Sequence, residues 1–543
     1  MAVVQTRAHV MASYIPLGAA TTPGTRPFTP SLASCGALSL TASSRASSLS
    51  TRLCAQFVLL TPVSKISAGP VDGRGMTNTR TFSAESQRRQ RSSTGARLLV
   101  VDFTPSRKKR SPAPKVVKIA GRDFYPTVIF DTFFKFVSER HLTQQLRLAG
   151  KPPPWTSDSI IATYPFTNVF RVYDRVSQYV LRNVIQQGDQ NLHEQCFRVM
   201  VFRSFNKIET WELLTAHFGA ITWRDFDVNM YEDVLVEQQQ NHALYGHAYI
   251  IPSPKLGGRA NASNHLRLVQ LMMEEDLPGQ LRKLHHLKDA HGRISLFPGM
   301  GDFMALQLLL DLNMTPHFNY SEDEWVALGP GSLECLRKMF GPSIRGFEFD
   351  ALRYLHQSQH THFARLHIRP RDIPRVPGHT PGLSMVDLEH ALCECEKYSR
   401  ACHPSIKGKR QQVAKRLFVP RPNPITADVP PHWLTGPRRR REAITRPDAA
   451  LVDSEGEEEY EVSHIVAEKR SGSERGDPQY LIRWRGWGPE DDTWEHESRL
   501  VDGAPDVLEE WKSLKARIAA RAAEMQAMGV RFKGGTTKSY KSR

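Results

Sequence analysis

The chain has 543 residues, of which 40% are hydrophobic and 24% are charged, enough for two or three globular domains with separate cores. It contains no run of 18 apolar residues, so we expect a soluble protein with no membrane-spanning segment. The net charge is +16, but residues 1–120 hold 17 Lys and Arg against three acids, so any DNA-binding face in the nearly neutral remainder would be a local patch.

The cysteine content argues against a secreted disulfide scaffold, because seven cysteines are few and odd in number. Segment 393–403 places three cysteines and a histidine in the order C-x-C-x6-C-H, and thiolates with an imidazole suit zinc. However, the short C-x-C spacing would turn Cys393 and Cys395 to different faces of a helix. We therefore predict no metal site and no cofactor.

Residues 1–118 are predicted to form a disordered basic region, because they are rich in Ser, Thr, Ala, Arg and Gly, nearly free of acid and without a helix or strand period. The stretch 11–60 also has the composition of a mitochondrial transit peptide. Basic clusters at 107–110 and 438–441 are typical of nuclear import signals or phosphate-binding arms, although solvated surface charge explains them as well.

Residues 119–402 alternate long amphipathic segments with Pro and Gly and show almost no strand alternation, which predicts an all-α domain. Residues 403–456 are rich in Pro and Arg and are predicted to be a linker. The clearest of about ten predicted helices span 128–148, 167–186, 194–202, 208–218, 223–239, 262–276, 280–287, 302–312, 332–340 and 350–366.

Two segments near the C-terminus, 459–466 and 479–487, alternate apolar and polar residues and read as antiparallel strands, with a third short strand at 492–495. The pattern closely resembles chromodomains, particularly those of chromatin readers and retroelement integrases. The resemblance implies a small three-stranded sheet with a C-terminal helix over 457–515. The final helix is predicted from Pro505 to about Met528. We expect residues 516–543 to continue it as a helical extension into solvent and to end in a basic tail.

By resemblance, a methyl-lysine cage is assigned to three aromatic residues, Tyr460, Trp484 and Trp487. Aromatic faces hold a quaternary ammonium because its methyl groups prevent hydrogen bonding. Asp491 and Glu495 stand where acidic residues support the cation or the peptide. The alternative for such aromatics is core packing, which we expect for Tyr480 and Trp494.

The resemblance also implies how a methylated histone tail would bind. The peptide would add as a strand between residues 459–462 and the chain after Trp494, so main-chain hydrogen bonds would supply most of the affinity. Family members often carry an Asn that clamps the peptide backbone, and Arg499 stands in its place. This departure puts preference for a particular histone tail in doubt.

The stretch 294–310 contains Pro-Gly-x-Gly between two apolar helical patterns, and Gly299 and Gly301 resemble the hairpin of a helix-hairpin-helix. In that motif backbone N–H groups and a helix N-terminus meet a DNA phosphate, and glycine permits the close approach. A plain tight turn between packed helices is the alternative.

A series of motifs in this region resembles the helical-domain family of DNA base hypermodification systems. In phages this domain accompanies a 5-hydroxymethyldeoxyuridine (5-hmdU) DNA kinase, and relatives are described as pyrophosphorylases acting on modified thymine in DNA. The resemblance covers about residues 124–400. The motifs are PWTxD at 154–158, FTNVFR with DR at 166–175, FRxFN with ETW at 202–211, GPG at 329–331 and LEHALCECEKY at 388–398.

The kinase activity is not implied, because G-x-x-x-x-G-K-[ST] does not occur and the chain is therefore not a P-loop kinase. Helix-hairpin-helix glycosylases place a carboxylate roughly twenty residues after the hairpin, where Glu322 and Asp323 stand. Such a carboxylate stabilises positive charge on the sugar of a flipped nucleotide. The alternative is that residues 321–324 form a helix N-cap with acids in its first turn.

Five polar residues among large apolar neighbours are candidates for lining a site: Asn168, Arg171, Asp174, Arg203 and Asn206. A half-buried Arg requires a carboxylate or phosphate partner, which an internal pair of Arg171 with Asp174, or of Arg203 with Glu209, would also supply. The histidines of 285–291 and 356–367 lack ligand spacing, and we expect them at the surface or at helix ends.

Together these observations predict a nuclear, chromatin-associated protein whose partners are a methylated histone tail and DNA, with the mitochondrion as the alternative location. The helical domain would bind or process a modified base. If it is an enzyme, its chemistry would be glycosylase-like or another modification of a DNA base. The alternative is a non-enzymatic chromatin adaptor. A third hypothesis is a chromodomain of retroelement origin that directs the fusion to particular chromatin.

Overall fold

The computed structural model describes residues 3–5, 114–246, 251–413, 416–420, 427–435, 451–452, 458–469 and 478–529. The predictions for the basic N-terminal region, the transit-peptide stretch, both basic clusters, most of the linker and the basic tail lie outside these residues.

Fifteen α-helices occur in the described ranges. They are α1 (Val128–Leu148), α2 (Ser159–Thr163), α3 (Arg175–Val180), α4 (Leu192–Phe205), α5 (Ile208–Phe218), α6 (Val228–Gln239), α7 (Asn261–Glu274), α8 (Leu277–Arg282), α9 (Leu287–Ser295), α10 (Asp302–Leu312), α11 (Pro330–Phe340), α12 (Glu348–Arg365), α13 (Met385–Cys402), α14 (Glu497–Gly503) and α15 (Pro505–Met528). None of them is long and apolar enough to cross a membrane.

The predicted all-α domain is confirmed, and α1, α5 and α10 have the predicted bounds. The predicted helix 167–186 is wrong as one element. A 3-10 turn at Arg171–Tyr173 and an extended Asp174 precede α3, and a π-helical segment, Leu181–Ile185, follows it. The predicted helix 280–287 is also wrong, since the chain ends α8 at Arg282 and begins α9 at Leu287.

The core of this domain surrounds α1 and α10. Helix α10 is buried from Met304 to Leu312, as expected for a helix that is apolar on nearly all sides. Helix α1 contributes the fully buried rings of Phe130, Phe133 and Phe134. It packs against α11, α12 and α13, so the chain around it forms one continuous apolar interior.

Seven strands are described: β1 (Val3–Gln5), β2 (Val117–Ile119), β3 (Arg122–Phe124), β4 (Leu451–Val452), β5 (Glu458–Lys469), β6 (Gln479–Trp484) and β7 (Thr493–His496). Strands β2 and β3 form a hairpin before α1. The other sheet has the order β1-β5-β6-β7, with β4 also paired to β5, and all its pairs are antiparallel. The predicted three-stranded sheet followed by helices is therefore confirmed as β5, β6, β7, α14 and α15.

The helical domain and the sheet share a buried boundary. Gly292 of α9 approaches Val466 of β5 so closely that an added Cβ would stand 2.0 Å from the Val466 carbonyl oxygen, which requires glycine. Arg483 of β6 bonds Asp289 of α9 (Nη1–Oδ2 2.8 Å) and Asp492 (Nε–Oδ1 2.6 Å). These contacts join the two regions through a buried, charge-paired interface.

The prediction that helix α15 projects into solvent is wrong. Leu514, Ile518 and Met525 are 4%, 2% and 2% exposed and belong to the core of the helical domain. The amphipathic spacing of these residues places them on one face of α15, and this face is buried because the helix packs against α7. Arg521 adds an ion pair to Glu274 at the edge of this contact (Nε–Oε2 2.7 Å).

Candidate functional site

Two aromatic rings meet at the open end of the chromodomain-like sheet. The ring centroids of Tyr460 and Trp487 lie 5.3 Å apart with planes at 84°, and both side chains are half-buried. The third ring assigned to the cage, that of Trp484, is only 5% exposed and packs in the core of the sheet. Its Nε1 donates a hydrogen bond to Oγ1 of Thr493 (3.2 Å). Two of the three assigned rings therefore present a partly open surface.

The two acids assigned to support the cage differ in their surroundings. The Glu495 carboxylate is buried and accepts hydrogen bonds from Thr493 Oγ1 (2.6 Å) and Arg499 Nη1 (2.7 Å). Arg499, which replaces the expected Asn, thus holds this carboxylate. Asp491 ends a 3-10 turn after Trp487 and is half-buried. Their roles in ligand binding stay predictions.

The strand edge expected to receive a peptide is paired with another part of this chain. Strand β1 runs antiparallel to β5 and places Val4 opposite Tyr460 and Gln5 opposite Glu459. It also contacts α14, the helix that follows β7. A strand in this position uses the same main-chain groups that an added peptide would use.

The glycine hairpin lies between α9 and α10, which pack against each other. Gly299 has φ +80°, and an added Cβ would meet the Pro252 carbonyl oxygen at 3.0 Å, so both the backbone and the packing require glycine there. Gly301 is exposed at the N-cap of α10, with open space at its Cβ position. An open N-terminus is compatible with phosphate contact, which stays a prediction.

Arg171 and Arg203 meet at a carboxylate that sequence reasoning missed. Asp311 of α10 accepts a hydrogen bond from Arg203 Nε (2.7 Å) on one oxygen and from Arg171 Nη2 (2.7 Å) on the other. Burial alone would raise the pKa of Asp311, but the two guanidinium groups hold it below its ordinary value of 3.8. The anticipated pairs of Arg171 with Asp174 and Arg203 with Glu209 are replaced by this triad.

A second buried polar group surrounds Asn168. Its Oδ1 accepts a hydrogen bond from Arg140 Nη2 (2.7 Å), and its backbone N–H donates to Asp174 Oδ1 (2.8 Å). His390 Nε2 lies 3.4 Å from the other Asp174 oxygen. Asn206 has a different, structural role. It is the C-cap of α4 and has a left-handed conformation with φ 47°. The role of these residues as a ligand site stays a prediction.

The acidic residues after the hairpin do not form a helix N-cap, because the next helix, α11, begins only at Pro330. Glu322 is 5% exposed, and its Oε1 lies 3.3 Å from Asn313 Nδ2. Asp323 is nearly half exposed, with Oδ1 3.4 Å from Nε2 of His356 in α12. Glu324 is buried and bonds His286 Nδ1 (2.9 Å).

Asp323 lines a cleft with a volume of about 920 Å³. Its lining carries imidazole, guanidinium and carboxylate groups together with apolar side chains. The side chains that matter for its chemistry are Asp323, Arg353, His356, His360, His379 and Asp387. Of the two candidate catalytic acids, only Asp323 lines this cleft.

One of the histidines lies elsewhere than predicted, since His291 is buried within α9. His362 is in the last turn of α12, where burial, with the charge of Arg365, lowers its pKa to about 4. His286 and His356 have carboxylate partners that sequence spacing did not indicate, because the partners are on a distant loop. No group of three His, Cys, Asp or Glu able to hold a metal ion occurs in the part of the chain that the structure describes.

The structure therefore combines a helical domain carrying a polar cleft with a small aromatic-bearing sheet domain. Residues 127–408 match the family described as 5-hmdU DNA kinase, helical domain, and residues 460–514 match the Chromo (CHRromatin Organisation MOdifier) domain. The first match spans just over half of the chain, so the protein belongs to the 5-hmdU DNA kinase helical-domain family, and it also contains a chromodomain.

The curated relatives each match one of these two regions. The 5-hmdU DNA kinase of Bacillus phage SP10 is 22% identical over 226 residues, 38% of this chain and 35% of the phage protein. Mouse M-phase phosphoprotein 8 is 39% identical over 84 residues, 15% of this chain and 9% of the mouse protein. The chromatin-associated protein SWI6 of Cryptococcus neoformans is 34% identical over 61 residues, 11% of this chain and 26% of that protein.

The chain thus spans about a third or less of the length of each of these relatives. No solved structure matches it.

Proposed function

We propose that this is a nuclear, chromatin-associated protein that binds a methylated lysine of a histone tail through its chromodomain. The observation that carries the proposal is the pair of partly open rings, Tyr460 and Trp487, at the position that the chromodomain resemblance assigns to the cage. The similarity to a protein named as chromatin-associated supports the same location. The comparisons give no support to the mitochondrial alternative.

The perpendicular arrangement of the two rings suits a cation. Because the two rings are in edge-to-face contact, a trimethylammonium group would lie against their exposed surfaces rather than between them, and would be held without a hydrogen bond. Trp484 supports these rings from the core of the domain. Asp491, which ends the 3-10 turn after Trp487, is the acid that would favour a cationic ligand over a neutral one, since the charge of Glu495 is already paired with Arg499.

We propose further that the helical domain binds DNA and acts on a modified base. Support comes from the family to which the domain belongs and from Asp323, whose carboxylate stands in a large cleft beside the imidazole of His356. In base release, the bond between C1′ of the sugar and the base nitrogen breaks, and the oxygen of a water molecule forms the new bond to C1′. The base leaves with a proton that the water gives up. A carboxylate stabilises the positive charge that develops on the sugar.

The hairpin would hold the DNA during this step. Gly301 exposes the N-terminus of α10, an eleven-residue helix whose first backbone N–H groups suit a phosphate. The carboxylate of Asp302, in the first turn of the same helix, repels a phosphate. The contact would therefore depend on hydrogen bonds from the backbone and not on positive surface charge.

Binding and turnover can be measured together with the full chain. Duplexes containing thymine, 5-hydroxymethyluracil or 5-methylcytosine are incubated at several salt concentrations, and base release is followed in the same samples. We expect preference for a modified base and product formation that Asp323→Asn abolishes. Asp225→Asn, which changes an exposed aspartate far along the chain from the cleft, serves as the matched control.

The alternative function, a non-enzymatic adaptor, predicts a different result in this experiment. Binding would be weak, indifferent to the base and lost as salt is raised, because only phosphate contacts would contribute. No product would form with any duplex. Recognition of the methylated lysine would then be the specific activity of the chain.

A further inference from the structure

The cleft at Asp323 is not built by the helical domain alone. Glu490, from the 3-10 turn of the chromodomain, is part of its lining. A second cavity of about 330 Å³ adjoins it, and the two share Glu324, Arg353 and Glu490 as common walls. The two cavities therefore form one groove along the boundary between the domains.

The second cavity is rich in aromatic side chains. Trp325 and Phe349 come from the helical domain, and Trp494 comes from β7 of the chromodomain. We expected Trp494 in the core of the sheet, but its side chain is 39% exposed. The cause is the alternation along β7, which buries Glu495 and turns Trp494 outward.

Cationic groups accompany these rings. Lys469 Nζ lies 4.1 Å from the ring centroid of Trp494, and the Arg353 guanidinium lies 5.1 Å from that of Phe349. Lys469 is exposed and Arg353 is half-buried. Five carboxylates also line the two cavities, those of Asp323, Glu324, Asp387, Glu490 and Asp492. Aromatic faces interleaved with cations are the usual features of a site for unpaired nucleotides, since bases stack on the rings and phosphates meet the cations.

The chromodomain side of the groove is held in place from the helical domain. Lys288 Nζ of α9 donates hydrogen bonds to the Pro489 carbonyl oxygen (3.2 Å) and to Asp492 Oδ2 (2.7 Å). Asp492 is also bonded by Arg483 from within the sheet domain. The turn that carries Glu490 is thus held on both sides by hydrogen bonds to Lys288, which fixes the chromodomain side of the groove against the helical domain.

We propose that this groove binds an unpaired nucleotide of DNA, with Trp494 of the chromodomain as a stacking residue for the base. The proposal rests on the DNA function of the helical domain and adds a second domain to its binding site. The carboxylates that line the groove disfavour phosphate inside it, so the base enters the groove and the sugar-phosphate backbone stays at its rim, beside Arg353 and Lys469. The chromodomain then contributes to DNA binding independently of its aromatic cage.

The test uses the full chain and a short single-stranded oligonucleotide carrying a fluorophore, with binding followed by anisotropy at low and moderate salt. Trp494→Ala should weaken binding by at least about fivefold, the loss expected for one stacked base, and Trp494→Phe should restore most of it. Tyr125→Ala, which removes an exposed aromatic side chain outside the groove lining, is the matched control and should leave binding unchanged.

A second measurement locates the base directly. Oligonucleotides containing 5-iodouracil are photo-crosslinked to the full chain, and the modified peptides are identified by mass spectrometry. Crosslinks at Trp494 or Trp325 are expected. Crosslinks confined to other parts of the chain, or equal binding by the wild type and Trp494→Ala, would overturn the proposal.

These outcomes separate the groove from the proposed DNA function. If modified DNA is processed in an Asp323-dependent manner while Trp494→Ala and Glu490→Lys leave its binding unchanged, the helical domain acts on DNA without the chromodomain wall. If the wild type binds no DNA at low salt, both proposals fail. If Glu490→Lys tightens binding and Trp494→Ala weakens it, the groove is the binding site.

Discussion

The Nη1 atom of Arg483 in the chromodomain lies 2.8 Å from Oδ2 of Asp289 in the helical domain, and these side chains are only 3% and 1% exposed. Asp492 bonds the same guanidinium, so one buried cation joins two carboxylates across the boundary. Burial alone would raise the pKa of Asp289, but the neighbouring imidazole of His464 (Nε2–Oδ2 3.3 Å) and the charge of Arg483 hold it below the ordinary range. The boundary is therefore part of the folded core.

Asp289→Asn should destabilise the protein by about 3 kcal/mol, because it removes one of the charges that compensate the buried Arg483. The free energy of unfolding from urea titration of the full chain measures this loss. Asp225→Asn, at an exposed position, is the matched control and should leave the unfolding midpoint unchanged. Equal midpoints for Asp289→Asn and the wild type would show that the boundary contributes nothing to stability.

Helix α15 offers an independent test of the same boundary. Ile518 is 2% exposed in the core of the helical domain although it follows the residues that match the chromodomain family. Ile518→Ala should lower the free energy of unfolding by about 2–4 kcal/mol, because it leaves a cavity between α15 and the helical domain. Val501→Ala on α14 changes an exposed side chain and should have little effect. A similar small effect at Ile518 would mean that α15 is solvated.

The stability of the arginine–aspartate triad should depend on pH in a defined direction. Since the folded pKa of Asp311 lies below 3.8, its ionised form stabilises the fold above that pH, and the contribution is lost as the pH falls below it. The difference in unfolding free energy between wild type and Asp311→Asn should be about 3 kcal/mol near pH 7 and should shrink toward pH 3. A difference that is the same at both values would contradict the assigned ion pairs.

The pairing of β1 with β5 predicts that the N-terminus of the chain competes with a histone peptide for the same strand edge. Because Val4 pairs with Tyr460 on the edge where a histone peptide would add, deletion of residues 1–10 should tighten binding of a trimethyl-lysine peptide by about threefold or more. Titration calorimetry with the two proteins measures the change. Deletion of residues 11–20, which leaves β1 in the chain, should have no such effect. An unchanged affinity after removal of β1 would show that the pairing does not oppose the peptide.

The fold was predictable where local patterns dominate. Helices α1, α5 and α10 follow apolar periodicity, and their bounds were predicted from it alone. Helix α15 had the right bounds but the wrong surroundings, because its apolar stripe indicates burial without naming the partner. The break between Arg171 and Asp174 was missed because a 3-10 turn and an extended residue carry no strong sequence signal there.

The candidate sites were predictable only in part. The spacing of Tyr460 and Trp487 agrees with a family pattern, whereas the pairing of Arg171 and Arg203 depends on Asp311, more than a hundred residues away in sequence. A signal did exist, since Gln307, which also contacts Arg171, and Asp311 are four residues apart and share one face of a helix that is otherwise apolar after Asp302. Trp494 could not be placed from sequence, because its exposure depends on the register of a four-residue strand.

The central claim, that the chromodomain reads a methylated lysine, is tested most directly by calorimetric titration of the full chain with trimethyl-lysine and unmodified histone-tail peptides. We predict binding of the trimethylated peptide alone, and a loss of about tenfold or more with Tyr460→Ala or Trp487→Ala at unchanged stability. Trp484→Ala should instead lower the free energy of unfolding by about 3–5 kcal/mol, because its ring is in the core. Equal affinity for the two peptides, or full binding by both cage variants, would contradict the claim.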